Sequence, residues 1–190
     1  YDVQLTIAAV FSRPVFHEMA AMIADAQRQA YEPIEKAPEQ DTYPLTHAQH
    51  RLWLVDQRQQ DTLPFNGIDG YRLKGELDRA ALENAFYSLV ARHESLRTVF
   101  ELVDGEPRQR VLQTGAVNTH ALFEYRDISS HSSPESLVRL TVEQELSMPF
   151  DLHAGPMLRV KLLRTSALEH VLLLCSHHII SDEWSRQVLV

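Results

Sequence analysis

Two apolar patterns near the carboxyl end of the chain predict neighbouring strands. Leu158, Val160 and Leu162 alternate with Arg159 and Lys161, which predicts a half-exposed strand; Val171-Leu172-Leu173-Leu174 is apolar without a break, which predicts one buried on both faces. Further back, Ile68, Tyr71 and Leu73 suggest a strand near 68–75. Thr98–Val103 and Arg108–Leu112 flank Asp104-Gly105, a pair that supplies the positive φ angles of a tight hairpin. A strand near Ala121–Tyr125 is expected to join that hairpin.

Helical periods fill the intervals. Thr46-His47-Ala48-Gln49 fits a capping box, with Ala48, Leu52 and Val55 on one face to about Gln57. Asp78 caps a second helix whose Leu82, Phe86, Leu89 and Val90 form a wide stripe to about His93. Ser133-Pro134-Glu135 opens a third, with Val138, Val142 and Leu146 at i, i+4, i+8, ending before Pro149. Near the start, Ser12 and Pro14 ahead of Val15, Met19, Met22 and Ala26 predict a helix over about 13–29. Residues 30–42 hold Pro33 and Pro38 among Glu, Lys, Gln and Asp with no apolar period, the composition of an extended linker. Three segments result: 1–29, a linker over 30–42, and a main domain over 43–190. Strands interspersed with helices make that domain α/β, with helices layered on a mixed sheet.

Composition narrows the function. At 190 residues and 44% hydrophobic content the chain can bury a real core in one or two domains. Its net charge of −8 disfavours nucleic acid and anionic membrane, which demand clustered Lys and Arg. The single cysteine, Cys175, excludes an internal disulfide framework and multi-cysteine metal patterns, so a soluble protein of the reducing cytoplasm is expected. No apolar run approaches the roughly 18 residues of a membrane span, and no G-x-G-x-x-G or G-x-x-x-x-G-K loop is present. Tyr1 at one end and Val188-Leu189-Val190 at the other, without a helix-ending residue, read as a piece of something longer.

Candidate chemistry gathers in Ser176-His177-His178-Ile179-Ile180-Ser181-Asp182-Glu183-Trp184-Ser185, directly after the buried strand. Reactive groups in α/β sheets collect at carboxyl ends of strands. Two adjacent imidazoles there cannot share an orientation, so one should face a crevice and the other the fold. An imidazole titrating near neutrality can take a proton from an attacking group and return it. Asp182 would hold the loop by capping or by ion pairing. A bland pair of loop histidines is the competing reading, and a zinc site a weaker one, since H-H-x-x-x-D lacks the H-E-x-x-H helix spacing. His17, His47, His50, His120, His131, His153 and His170 are scattered and read as solvated or capping. Trp53 and Trp184 read as packing anchors with bonded indole N–H groups, and Cys175 as an inert buried thiol.

His177–Asp182 resembles the HHxxxDG signature of the condensation domains of nonribosomal peptide synthetases. Three further stretches are similar in the expected order: Leu45–Trp53, Arg92–Phe100, and Pro149–Leu152 with Gly155–Arg159. The resemblance implies the amino-terminal lobe of a chloramphenicol-acetyltransferase-like fold, with a second lobe supplying the other wall of a tunnel. It implies that His178 acts where two phosphopantetheine arms meet, carried by donor and acceptor peptidyl carrier domains, as a general base or as an orienting group. His177, Ser181, Asp182, Glu183 and Trp184 are implied to be supporting residues of the motif, with Asp182 pairing Arg51 or Arg97. Residues 1–29 resemble the last helices of a carrier domain, whose arm-bearing serine would lie upstream. Glu183 departs from the family's usual Gly, which keeps an inactive docking module as an alternative; an epimerising relative is another. The opening Ala-Gln-His-Arg-Leu-Trp is closer to the subtype joining L-configured residues, and heterocyclisation would replace the histidines with aspartates. Alone, the 190 residues are expected to form no amide.

Overall fold

The computed structural model describes residues 3, 5–26, 35–58 and 65–189. The chain divides into two units, Tyr1–Glu39 and Gln40–Val190. In the first, the helix expected over 13–29 is described as α2 (Phe16–Asp25), and a helix the sequence reading did not anticipate, α1 (Ile7–Ser12), precedes it. Thr6 caps α1 by accepting from the Ala9 N–H at 3.1 Å, and Ser12 closes it by donating to the Ala9 carbonyl. Pro14 is the physical reason α1 ends before α2 begins, because a proline pushes the preceding residue out of the helical region, and Arg13 sits at φ −136°, ψ 73°. Residues 27–34, which include the end of the expected helix and the start of the expected linker, lie outside the described residues.

The second unit holds β1 (Tyr43–Pro44), α3 (His47–Arg58), β2 (Asn66–Lys74), α4 (Arg79–Arg92), β3 (Thr98–Val103), β4 (Glu106–Val111), α5 (Thr119–Leu122), β5 (Phe123–Asp127), α6 (Pro134–Ser147), β6 (Leu158–Ser166), β7 (Glu169–His177) and α7 (Glu183–Leu189). The capping box at Thr46 forms in both directions: the Gln49 N–H donates to Thr46 Oγ1 at 3.2 Å, and the Thr46 N–H to Gln49 Oε1 at 2.9 Å. Asp78 caps α4 through the Ala81 N–H. The hairpin turns on Asp104 and Gly105, both at positive φ.

Four strands make the main sheet, in the order β2-β7-β6-β5; β5 runs parallel to β6 and the other pairs are antiparallel. The hairpin β3–β4, with β1, forms a separate three-stranded sheet. Thus the strand expected near Ala121–Tyr125 belongs to the main sheet, and its first residues form a helical turn that carries buried Leu122. Phe86 and Val90 of α4 pack on Leu158, Val160, Leu162, Leu172 and Leu174 on one face; Val138 of α6 packs on Leu163, Val171 and Leu173 on the other. Covered on both sides, β7 is apolar throughout its middle, as its sequence predicts. β6 departs from expectation: Arg159 is buried, not solvent-facing, because α6 lays Glu145 across it. A third cluster, Trp53, Phe100, Phe150, Leu152, Met157, Cys175 and Ile179, packs α3 and the 150–157 loop around the end of β7.

Candidate active site

β7 ends at His177, and the two imidazoles part company there. His177 is 1% exposed, edge-on to Phe65 and Phe150. Its Nδ1 accepts from the Ile179 N–H at 3.0 Å, so the ring proton sits on Nε2, which has no partner among the described residues. Burial, then the neighbouring His178 and the Arg159 cation, depress its pKa to about 4. A histidine depressed from 6.5 in the folded state binds fewer protons folded than unfolded. Its contribution to stability is therefore complete above pH 6.5 and lost as pH falls toward 4, at up to ~1.4 kcal/mol per pH unit. NMR titration of the chain should find this ring neutral at pH 5, with urea stability declining over the same window; a ring midpoint near 6.5 would contradict the burial argument.

His178 is exposed. Its backbone N–H donates to the Phe65 carbonyl at 2.8 Å, which ties the turn to the start of β2. Nδ1 lies 3.4 Å from the Ser181 carbonyl. A carbonyl only accepts, so this contact puts the ring proton on Nδ1 and leaves Nε2 with its lone pair. Ser181 is itself fixed: its buried hydroxyl donates to the His177 carbonyl at 3.2 Å and lies 2.9 Å from the Ser176 hydroxyl.

Asp182 takes the capping role and not the ionic one. It accepts from the Ser185 N–H at 2.8 Å and the Ser185 hydroxyl at 2.6 Å, bonds that hold its carboxyl below the usual range. Neither expected partner reaches it: Arg97 donates to the Leu112 carbonyl and pairs with Glu94, and Arg51 is exposed with no ion pair among the described residues. Glu183 opens α7 with no positive φ, so this backbone does not demand the family's glycine, and its carboxylate suits a helix amino terminus. Trp184 corrects the expectation of an anchor: it is 75% exposed. Trp53 is the buried one, yet its indole nitrogen has no partner among the described residues. Cys175 is buried, its thiol pushed up to about 11 chiefly by desolvation. Of the scattered histidines, His170 is buried, contrary to expectation. No cluster of three His, Cys, Asp or Glu side chains suited to a metal occurs among the described residues.

Three supporting features escaped the sequence reading. Arg159 donates to Glu145 Oε2 at 2.6 Å and to the Glu145 and Met148 carbonyls, and stacks on Phe150 at 3.8 Å. The Asn66 amide nitrogen donates to the carbonyls of Glu145, Leu146 and Met148, tying the end of α6 to the residue paired with His177. Arg186 of α7 pairs with Asp69 and Glu183 and reaches over Gly67, beside His178. Glu145 carried a signal, since it follows Val138 and Val142 at i+7 and i+3 on the buried stripe.

In this layered α/β architecture an exposed imidazole stands at the end of a buried central strand, with a buried one behind it. The condensation domain family model matches residues 39–190. The chain is 36% identical over 190 residues to bacitracin synthase 2 of Bacillus licheniformis, covering 99% of this chain and 7% of that protein. It is 37% identical to tyrocidine synthase 3 of Brevibacillus parabrevis, covering 100% of this chain and 3% of that protein. The chain therefore spans only a small part of the curated relatives it matches. The first condensation domain of the calcium-dependent antibiotic synthetase, solved with a substrate analogue, superposes with a TM-score of 0.71 at 25% identity over 78% of this chain and 35% of its own. The starter condensation domain of rhizomide synthetase shares the fold, with a TM-score of 0.70 at 24% identity over 78% and 35%. This chain belongs to the condensation domain family. Among the described residues no helix is long and apolar enough to cross a membrane.

Proposed function

We propose that this chain is the amino-terminal lobe of a cytoplasmic nonribosomal peptide synthetase condensation domain, and that His178 handles the proton in amide formation. The observation carrying this reading is the exposed imidazole at the end of buried β7: with Nδ1 facing the Ser181 carbonyl at 3.4 Å, Nε2 is left as the acceptor for an incoming amine. The substrates are two thioesters, each on a phosphopantetheine arm borne by a partner carrier domain. The acceptor's α-amine attacks the donor's thioester carbonyl, a C–N bond forms, and Nε2 orients the amine and accepts the proton it sheds. Collapse of the tetrahedral adduct breaks the C–S bond; the electron pair leaves on sulfur, and the proton held at Nε2 neutralises the thiolate. His177, uncharged and walled in, sets the backbone that aims its neighbour.

Residues 1–29 are read as the last helices of a carrier domain and 30–42 as the linker, with 43–190 as the lobe. A second condensation lobe is assigned the opposite tunnel wall, which accords with the solved relative being matched over 35% of its length. The docking alternative is disfavoured by an exposed, oriented imidazole, which recruitment alone has no use for. Intact-mass analysis tests the proposal. The synthetase polypeptide that carries this chain, given loaded donor and acceptor carriers, is expected to shift the acceptor by the donor acyl mass, whereas the 190 residues alone are expected to give no shift. An acceptor left unchanged by the complete polypeptide overturns it.

A further inference from the structure

A glycine opens the notch in which Arg186 meets His178. Gly67 pairs with Ser176 across β2 and β7, one residue from the pair that ends in His177. A β-carbon at Gly67 would stand 2.7 Å from Arg186 Nη1 and 3.5 Å from His178 Cε1. The guanidinium and the imidazole edge therefore flank the same point, and only the absence of a side chain lets the guanidinium occupy it. Arg186 is held there from two sides. Asp69, two residues along β2, lies 3.5 Å from its Nε, and Glu183, one turn back on α7, pairs with Nη2. Its side chain is 18% exposed, against 73% for Glu183. A largely covered guanidinium, bonded to Glu183 and with Asp69 beside an Nε that makes no hydrogen bond among the described residues, is a planar wall and not a solvated surface arginine.

We infer that Arg186 is a positioning residue for His178, clamped by Asp69 and Glu183 in the space that Gly67 leaves open. The imidazole ring then has one edge held at two adjacent atoms: Nδ1 on the Ser181 carbonyl and Cε1 beside the notch. A ring held along that edge presents the next atom, Nε2, in a preferred direction, and orientation of that kind is lost when the wall is removed. The clamp also gives a role to the Glu183 that stands where the family usually has glycine: it is one jaw. With two carboxylates on one guanidinium, the cluster does not serve as a receptor for an anionic substrate.

This inference rests on the amide-forming reading, and the test separates the two. In the complete synthetase polypeptide, Arg186→Ala is expected to lower kcat for amide formation by roughly 10- to 100-fold while KM for the acceptor carrier changes less than about threefold. Arg186→Lys, which keeps the charge but not the planar fork, is expected to recover only part of the rate. Gly67→Ala should also lower kcat in the native background, though by less than Arg186→Ala, because its β-carbon displaces the end of the guanidinium without removing it. Introduced into Arg186→Ala it should cost less than about twofold, since the clash is gone and His178 lies at ordinary contact distance. Full kcat in Arg186→Ala, or equal costs of Gly67→Ala in both backgrounds, overturns the positioning role. Failure of the unmodified enzyme to form any amide overturns the amide-forming reading instead. Thermal unfolding of each variant identifies any loss due to misfolding, and a partial recovery by Arg186→Lys in a folded protein supports the clamp, whereas full recovery would reduce its role to charge alone.

Discussion

His178→Ala in the complete synthetase polypeptide is expected to lower amide formation by roughly 10²- to 10⁴-fold, the usual range for removing a positioned acid–base group. The loss should appear in kcat, because the ring meets the amine as it sheds its proton and contributes little to holding the carrier domains. Stability should barely change, since the side chain is exposed and its one polar contact is the 3.4 Å approach to Ser181. Single-turnover measurement with preloaded carriers separates the chemical step from docking. A variant retaining more than about a tenth of the rate would remove His178 from the proton-handling role and favour recruitment as the function of this lobe.

The second large effect is on folding. Glu145→Ala is expected to destabilise the chain by ~3–5 kcal/mol, the range for stranding a buried charge. Arg159 and Glu145 side chains are 10% and 5% exposed, and Lys161 reaches the same carboxylate at 3.2 Å. Removing Glu145 leaves Arg159 beneath α6 with no carboxylate among the described residues, while Lys161 keeps only Glu124. Urea unfolding of the 190-residue chain measures the cost. Replacing Arg159 and Glu145 together by apolar residues of similar volume should be far less harmful than either single change, since no charge is then left buried; equal costs for single and double changes would contradict this. The consequence extends to the site, because Arg159 stacks on Phe150 and the Phe150 ring meets the edge of His177.

Most of the architecture was legible because its signals are local. The Thr46 capping box, the Asp78 cap, the Asp104-Gly105 turn and the continuous apolar run of β7 each involve residues close in sequence. The errors arose where distant partners decide. Arg159 and Lys161 look solvent-facing in strand alternation, and only Glu145 arriving from α6 makes their burial tolerable. The strand at Phe123–Asp127 was expected beside the hairpin because that lay nearest in sequence, but its partner is β6, more than thirty residues on. Trp184 was expected inside because tryptophan is large and apolar; its position on the outward side of a short helix is a tertiary fact. At the site itself, the parting of His177 from His178 was expected from strand alternation, but the strand ends at His177 and a turn carries His178 outward. Asp182 held both a capping and an ionic reading, and Ser185, three residues on, decided it. Arg186 was invisible because nothing in the sequence ties Gly67 to a residue 119 positions later.

The placement of the histidine pair also divides the site mechanically. The backbone up to His177 is locked between β2 and β6 and pressed from both faces by α4 and α6, so it belongs to the material that opens last. Beyond it, α7 is a seven-residue helix with no buried residue, which belongs to the material that yields first. The imidazole at 178 stands on the seam: its root adjoins a strand held on both edges and both faces, while the guanidinium and capping groups around it ride on a short helix with no buried residue. Small movements of that helix can thus retune the neighbours of the reacting atom without dislodging the atom itself.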